Sequence, residues 1–238
     1  MMHHPKVLVV IPAFNEEGNI PHVLEEIRSL SNPPDAVVVD DGSTDGTADT
    51  ARRAGVPVIS LPVNGGMFCA VQAGFRYAYR HGYDIAIQVD ADGQHDPSGI
   101  PALIAPILER GVDVVIGSRY LGKVEYKMPM ARSVGTKVFG RLTSAFVGQS
   151  ITDTTCGFRA YGRAAIRLFA TETSFEFRDA VGLVVLHRGG FTLCEVPVTV
   201  HPRRSGRSSI NAFLTIIYPL HYLLALAVEL LRKPVRKG

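Results

Sequence analysis

The chain has 238 residues, is 46% hydrophobic and carries a formal net charge of +3. That length and apolar content suit one large domain with a substantial core and exclude a disordered chain. Cys69, Cys156 and Cys194 are odd in number and show no CxxC spacing, which argues against a disulfide framework or a zinc site and leaves them as expected buried thiols.

Met1 to Lys6 lead straight into a strand-length apolar run, with no longer hydrophobic stretch and no cleavage site, so a cytoplasmic location is expected. Strands are expected at Val7–Ile11, Ala36–Asp40, Val56–Leu61, Ile85–Val89 and Val112–Gly117. Between them, helices are expected at Glu16–Leu30, Asp45–Ala54, Met67–His81 and Pro97–Arg110. This alternation is that of βαβ units, hence an α/β fold whose mostly parallel sheet is covered on both faces. Ligands of such sheets gather beyond the C-terminal strand ends.

The polar clusters fall at those ends. The first strand runs out into Pro12-Ala13-Phe14-Asn15-Glu16-Glu17, the second into Asp40-Asp41-Gly42-Ser43-Thr44-Asp45, and the fourth into Asp90-Ala91-Asp92-Gly93-Gln94-His95. Local explanations exist for each: Asn15 can cap the helix that follows, and so can Ser43 or Thr44, with Asp45 and Asp49 near the positive end of the dipole. A lone Asp-x-Asp is more often a solvated turn than a metal site. What distinguishes this chain is that three strands deliver acids or amides to one sheet edge. Mg²⁺ or Mn²⁺ takes oxygen ligands, usually one or two carboxylates, and leaves positions for phosphates; Asp92 and Gln94 suit that demand.

These segments resemble family 2 glycosyltransferases of the dolichyl-phosphate mannose synthase type. The likeness continues through Gly117-Ser118-Arg119-Tyr120, Asp153-Thr154-Thr155-Cys156-Gly157-Phe158-Arg159-Ala160-Tyr161, Glu195-Val196-Pro197-Val198 and Arg203-Arg204-Ser205-Gly206-Arg207-Ser208, in family order. It implies a GT-A fold, a Rossmann-like mixed sheet that binds a nucleoside-diphosphate sugar of the GDP-mannose or UDP-glucose type. By position, Pro12, Phe14, Glu16, Val38 and Asp40 would hold the nucleoside, Asp90 the ribose, Asp92 and Gln94 the cation, and Arg203 the diphosphate, with Ala91 a further donor-binding position. Transfer would invert the anomeric carbon, with Asp92, Arg119, Arg203 and Asp179 as the candidate catalytic residues.

The acceptor implied by the resemblance is a polyprenyl phosphate, whose oxygen is already ionised at neutral pH and needs no strong base. Arg119, Arg132 and Thr136 match the positions that bind its phosphate. A saccharide hydroxyl, the alternative acceptor, would need a base within reach. Asp179 stands near where relatives with hydroxyl acceptors keep one, although a helix N-terminal charge explains it equally well. Asp153 and Arg159 could form an ion pair framing a turn at Gly157. The chain departs from the family pattern at Ser209, where a Lys is common, at Phe14, where a Tyr is common, and in the bulky loop Asn64-Gly65-Gly66-Met67-Phe68-Cys69-Ala70.

The tail has its own logic. Residues 201–238 carry seven Lys/Arg against the single acid Glu229, so the remainder of the chain is mildly acidic. A basic, apolar tail on an acidic body points to an anionic membrane surface or a phosphorylated ligand rather than to nucleic acid. Residues 212–231 are long enough to span a bilayer. However, Asn211, Thr215, Tyr218, Tyr222, Ala225 and Glu229 draw a polar stripe along one face, and Pro219 breaks the ladder. A catalytic domain over 1–209 and an amphipathic helical tail over 210–238 are therefore expected. The tail would lie on the inner membrane face, on the body or on a second subunit of a homo-oligomer. A nucleotidyltransferase or a nicotinamide-dependent dehydrogenase would need a Gly-rich loop after the first strand, where this chain has Pro12-Ala13-Phe14-Asn15. A non-catalytic subunit of the same fold that recruits a membrane partner remains as the alternative of another class.

Overall fold

The computed structural model describes residues 5–121, 140–172, 179–202 and 223–237. Seven strands form one sheet: β1 (Val7–Ala13), β2 (Asp35–Asp40), β3 (Val58–Ser60), β4 (Ile85–Gln88), β5 (Val114–Ser118), β6 (Arg159–Gly162) and β7 (Leu193–Pro197), in the order β3-β2-β1-β4-β6-β5-β7. β6 runs antiparallel to both β4 and β5, and every other pairing is parallel. The result is the mixed α/β sheet of a GT-A fold.

The helices are α1 (Ile20–Arg28), α2 (Thr47–Arg53), α3 (Met67–Arg80), α4 (Ile100–Arg110), α5 (140–147), α6 (Arg163–Thr171), α7 (Asp179–Arg188) and α8 (223–231). Strand residues alternate between two cores, as the pleat requires. Leu8 and Val10 pack with Phe75 of α3, Phe169 of α6 and Leu183 of α7; Val9 and Ile11 pack with Ile20, Leu24 and Ile27 of α1 and Leu103 of α4. The first core centres on Phe75, Tyr161 and Phe169, whose ring centroids lie 4.8 to 5.1 Å apart.

The first-half strands and helices stand within a few residues of where the pattern places them, with two differences. α1 begins at Ile20 rather than Glu16 because residues 15–17 bond to the loop after β2 instead of entering a helix, and Pro21 then opens the first turn. The helix expected from Pro97 opens as a 3-10 turn over Pro97–Gly99, capped by Asp96, before α4 begins. Of the cysteines only Cys156 is buried; Cys194 is intermediate and Cys69 exposed.

Among the described residues, no helix is long and apolar enough to cross a membrane. Most of the expected tail helix, residues 203–222, lies outside the described residues. In α8, Leu226 enters the core and Ala225 packs against it, while Leu223, Leu224, Val228 and Leu231 stay exposed. Arg188 donates to the carbonyls of Glu229, Leu230 and Arg232, which satisfies the C-terminal end of α8. Beyond it, the Lys237 amide donates to Gly189 O at 2.9 Å, and its Nζ meets Asp113 Oδ2 at 2.7 Å.

Candidate active site

The loops after β1 and β2 are knitted together. The Asn15 amide donates to Ser43 Oγ at 2.9 Å, the Thr44 amide to Asn15 Oδ1 at 2.9 Å, the Gly46 amide to Glu17 Oε2 at 3.0 Å and the Glu16 amide to Thr47 Oγ1 at 2.8 Å. Asn15 pays for its place with a left-handed backbone, φ 55°. Asn15 and Ser43 thus join loops rather than cap helices, and Asp45 takes the capping role by accepting from the Thr47 amide and hydroxyl. Burial works against charge on Asp45, but these bonds and the Glu17 amide outweigh it and hold its pKa below the usual value.

Asp40 and Asp41 divide their work. Asp40 closes its own turn by accepting the Ser43 amide at 3.0 Å. Both oxygens of Asp41 are taken by the amides of Gly65 and Gly66, at 2.8 Å each, so this carboxylate holds the loop into α3. Gly42, at φ +70°, lets that loop approach, since a Cβ there would lie 2.7 Å from the Val63 carbonyl carbon. Phe14, directly after β1, stands 44% exposed, an aromatic face open to a base. Glu16 accepts Asn19 Nδ2 at 2.5 Å. Pro12 is buried within β1. Val38 and Ala91 have their side chains in the core, so a part in holding the nucleotide falls to their main chain.

After β4, Asp90 is tethered by Gln88 Nε2 at 3.2 Å and packs on Gly157, where a Cβ would lie 3.0 Å from both carboxylate oxygens. Asp92 Oδ1 accepts the Gln94 amide at 3.1 Å. Gln94 and His201 exchange bonds: the His201 amide donates to Gln94 O at 2.8 Å, and Gln94 Nε2 donates to His201 O at 3.3 Å. Committing Nε2 to His201 leaves Oε1 as the ligand face of the amide, and an amide oxygen beside a carboxylate is a donor set that suits a hard cation. Among the described residues no cluster of three or more His, Cys, Asp or Glu groups is placed to hold a metal alone. Arg203 follows two residues after His201 and lies outside the described residues.

His95 is buried beside Asp90. Burial disfavours a charged ring, whereas the Asp90 carboxylate, the Cys156 sulfur and Asp92 favour one, and the hydrogen bond made by the ring decides between them. Nδ1 accepts the Asp90 amide at 3.2 Å, a bond that an imidazolium would have to give up, so the geometry is that of the neutral Nε2–H tautomer.

At the end of β5, Arg119 is buried and paired with Asp153, not exposed as a lone cation. Nε meets Oδ2 at 2.7 Å, Nη2 meets Oδ1 at 2.8 Å, and the Arg119 amide adds a third bond to Oδ2 at 3.0 Å. Nη2 also donates to Thr155 Oγ1 at 2.7 Å. Burial works against the Asp153 charge, but the Arg119 guanidinium and amide keep its pKa below the usual carboxylate value. The expected Asp153–Arg159 pair is therefore corrected: Arg159 donates to the carbonyls of Cys156 and Thr154. Glu195 of β7 supports the pair by accepting the Thr152 and Asp153 amides at 2.8 and 2.7 Å. Asp179 begins α7. Arg132 and Thr136 lie outside the described residues.

Comparison with known proteins places this arrangement. The family model described as Glycosyl transferase family 2 matches residues 8–169. An undecaprenyl-phosphate mannosyltransferase of Micrococcus luteus is 32% identical over 222 residues, covering 87% of this chain and 88% of its own. A polyprenol monophosphomannose synthase of Mycolicibacterium smegmatis is 31% identical over 217 residues, covering 87% and 81%. In structure, the chain resembles the glucosyl-3-phosphoglycerate synthase of Mycobacterium tuberculosis solved with Mn²⁺, UDP-glucose and phosphoglyceric acid. The TM-score is 0.70 at 21% identity, over 94% of this chain and 79% of that one, a likeness of fold.

Proposed function

The chain belongs to glycosyl transferase family 2, and from that premise we propose that it moves a sugar from a nucleoside diphosphate to a polyprenyl phosphate, with inversion and with Mg²⁺ or Mn²⁺. The observation that carries the donor half is the convergence, at one sheet edge, of Phe14, Asp40, Asp90, Asp92 and Gln94 from the ends of β1, β2 and β4. Phe14 stacks on the base, Asp40 accepts from a base N–H, and Asp90 accepts from a ribose hydroxyl. Asp92 and Gln94 Oε1 hold the cation, which when bound stabilises the charge of the departing diphosphate. Arg203, by its position in the family motif, is assigned to the same diphosphate.

The acceptor half is supported by the two relatives named for undecaprenyl and polyprenol phosphates, which align over most of this chain. An ionised phosphate oxygen attacks without a base, so the remaining task is to orient it; Arg119, Arg132 and Thr136 do so. The Arg119–Asp153 pair is close to neutral as a unit, so Arg119 gives direction and hydrogen bonds more than net charge. α8 supports peripheral attachment to a membrane, with Leu223, Leu224, Val228 and Leu231 exposed just ahead of Arg232 and Lys233.

The test is to incubate the purified protein with Mn²⁺ or Mg²⁺, a panel of labelled GDP- and UDP-sugars, and a short-chain polyprenyl phosphate beside a saccharide acceptor. Label should pass to the lipid phosphate, and Asp92→Asn should abolish transfer while leaving the circular dichroism unchanged. Transfer only to a saccharide hydroxyl would overturn the acceptor assignment and bring Asp179 forward as a base. Undiminished transfer by Asp92→Asn would overturn the cation site.

A further inference from the structure

Burial alternates along the loop after β4. Asp90, Asp92, Gln94 and Asp96 are partly exposed, whereas Ala91, Gly93 and His95 are buried. His95 therefore belongs to the inner side of the loop, 7% exposed, with its ring stacked on Phe158 at 5.1 Å and 14°. A side chain needed only for packing would be less costly as Phe or Leu, because a buried polar group costs free energy unless it is hydrogen-bonded. His95 uses its polar atoms. Nδ1 accepts the Asp90 amide, five residues back, and Nε2 stands 3.8 Å from Asp90 Oδ2. Its main chain bridges Val200, next to the Gln94–His201 exchange. One residue thus ties the start of the loop to its end, and the end to the chain leaving β7.

We propose that His95 is a positioning residue for donor binding: its bond to the Asp90 amide sets the curvature that turns Asp90, Asp92 and Gln94 to the cleft together, before nucleotide or cation arrives. The inference rests on the donor reading given above for those three residues. Its physical content is pre-organisation. Without the bond the loop must be ordered at the moment of binding, and the ordering cost is taken from affinity.

The full-length protein is titrated with Mn²⁺, followed by electron paramagnetic resonance, in the presence of UDP or GDP, whichever binds the wild type more tightly. His95→Phe keeps the stack on Phe158 and loses the acceptor; it should weaken binding about tenfold, the worth of one buried hydrogen bond. His95→Asn loses the stack, but its Oδ1 replaces Nδ1, so binding should stay within about threefold of wild type. His95→Gln, whose amide extends past the Nδ1 position, should behave like His95→Phe and serves if that variant does not fold. Phe158→Leu should lower the thermal midpoint and leave binding within about threefold. Wild-type binding by His95→Phe or His95→Gln, or a weaker Asn than Phe variant, would reduce His95 to packing and overturn the proposal. Asp92→Asn separates the two levels. If it loses Mn²⁺ while His95→Phe does not, only the His95 proposal falls; if it binds Mn²⁺ as wild type does, the cation reading falls and takes the proposal with it.

Discussion

Replacing Asp153 by Asn tests the buried pair that orients Arg119. Asp153 is fully buried, Arg119 is 7% exposed, and three of the bonds to the carboxylate come from that arginine. Asn keeps the volume, removes the charge and turns a donor toward donors. Removing one partner of a buried pair costs about 3–5 kcal/mol because the other charge is left uncompensated. Asn retains one acceptor oxygen, so the lower end, ~3 kcal/mol, is expected. For a domain of this size that is a fall in Tm of roughly 6–12 °C. The folded pKa of Asp153 lies below its ordinary value of 3.8, so its contribution is fully present above that pH and is lost as pH falls through the folded pKa. Urea unfolding should therefore show a constant gap between wild type and variant from about pH 5 to 8, closing below pH 3.8. A loss under about 1 kcal/mol at neutral pH, or a gap that widens on acidification, would refute the argument that Asp153 compensates the buried charge of Arg119.

Two further outcomes follow from other parts of the molecule. Gly157→Ala places a Cβ 3.0 Å from both oxygens of Asp90 and from Gln88 Nε2, so the carboxylate must move. Isothermal titration should show nucleoside-diphosphate affinity reduced several-fold with thermal stability nearly unchanged, and an unaltered affinity would mean that the Asp90 position is not critical. Leu224 and Leu231 are 64% and 90% exposed on α8. Changing both to Glu should lower co-sedimentation with anionic vesicles about tenfold or more while leaving the melting curve in place; equal sedimentation would remove α8 from the membrane contact.

How much of this was legible in the sequence depends on how far apart the interacting residues lie. Apolar runs of four to six residues and helical stripes between them are local signals, and they located β1 to β5 and α1 to α4 to within a few residues. β6 escaped because Arg159–Gly162 is not a continuous apolar run, and its antiparallel place between β4 and β5 exists only through long-range pairing. Asn15, Ser43 and Thr44 read as helix caps because capping is the local use of such side chains. Their actual partners stand 28 and 29 residues away, on the neighbouring loop.

The sequence by itself determined which residue types reach the reactive edge. A strand must end where its apolar run ends, and the acids of Asp40, Asp90 and Asp92 follow those ends directly. Tertiary structure decided which of these groups face the cleft and which serve the scaffold. Asp41 went to the amides of Gly65 and Gly66, Asp153 to Arg119 instead of Arg159, and His95 to the inner side of its loop. The physical reason is competition. A buried carboxylate or imidazole takes the donors that packing brings within about 3 Å, and the distance along the chain has no say in which those are.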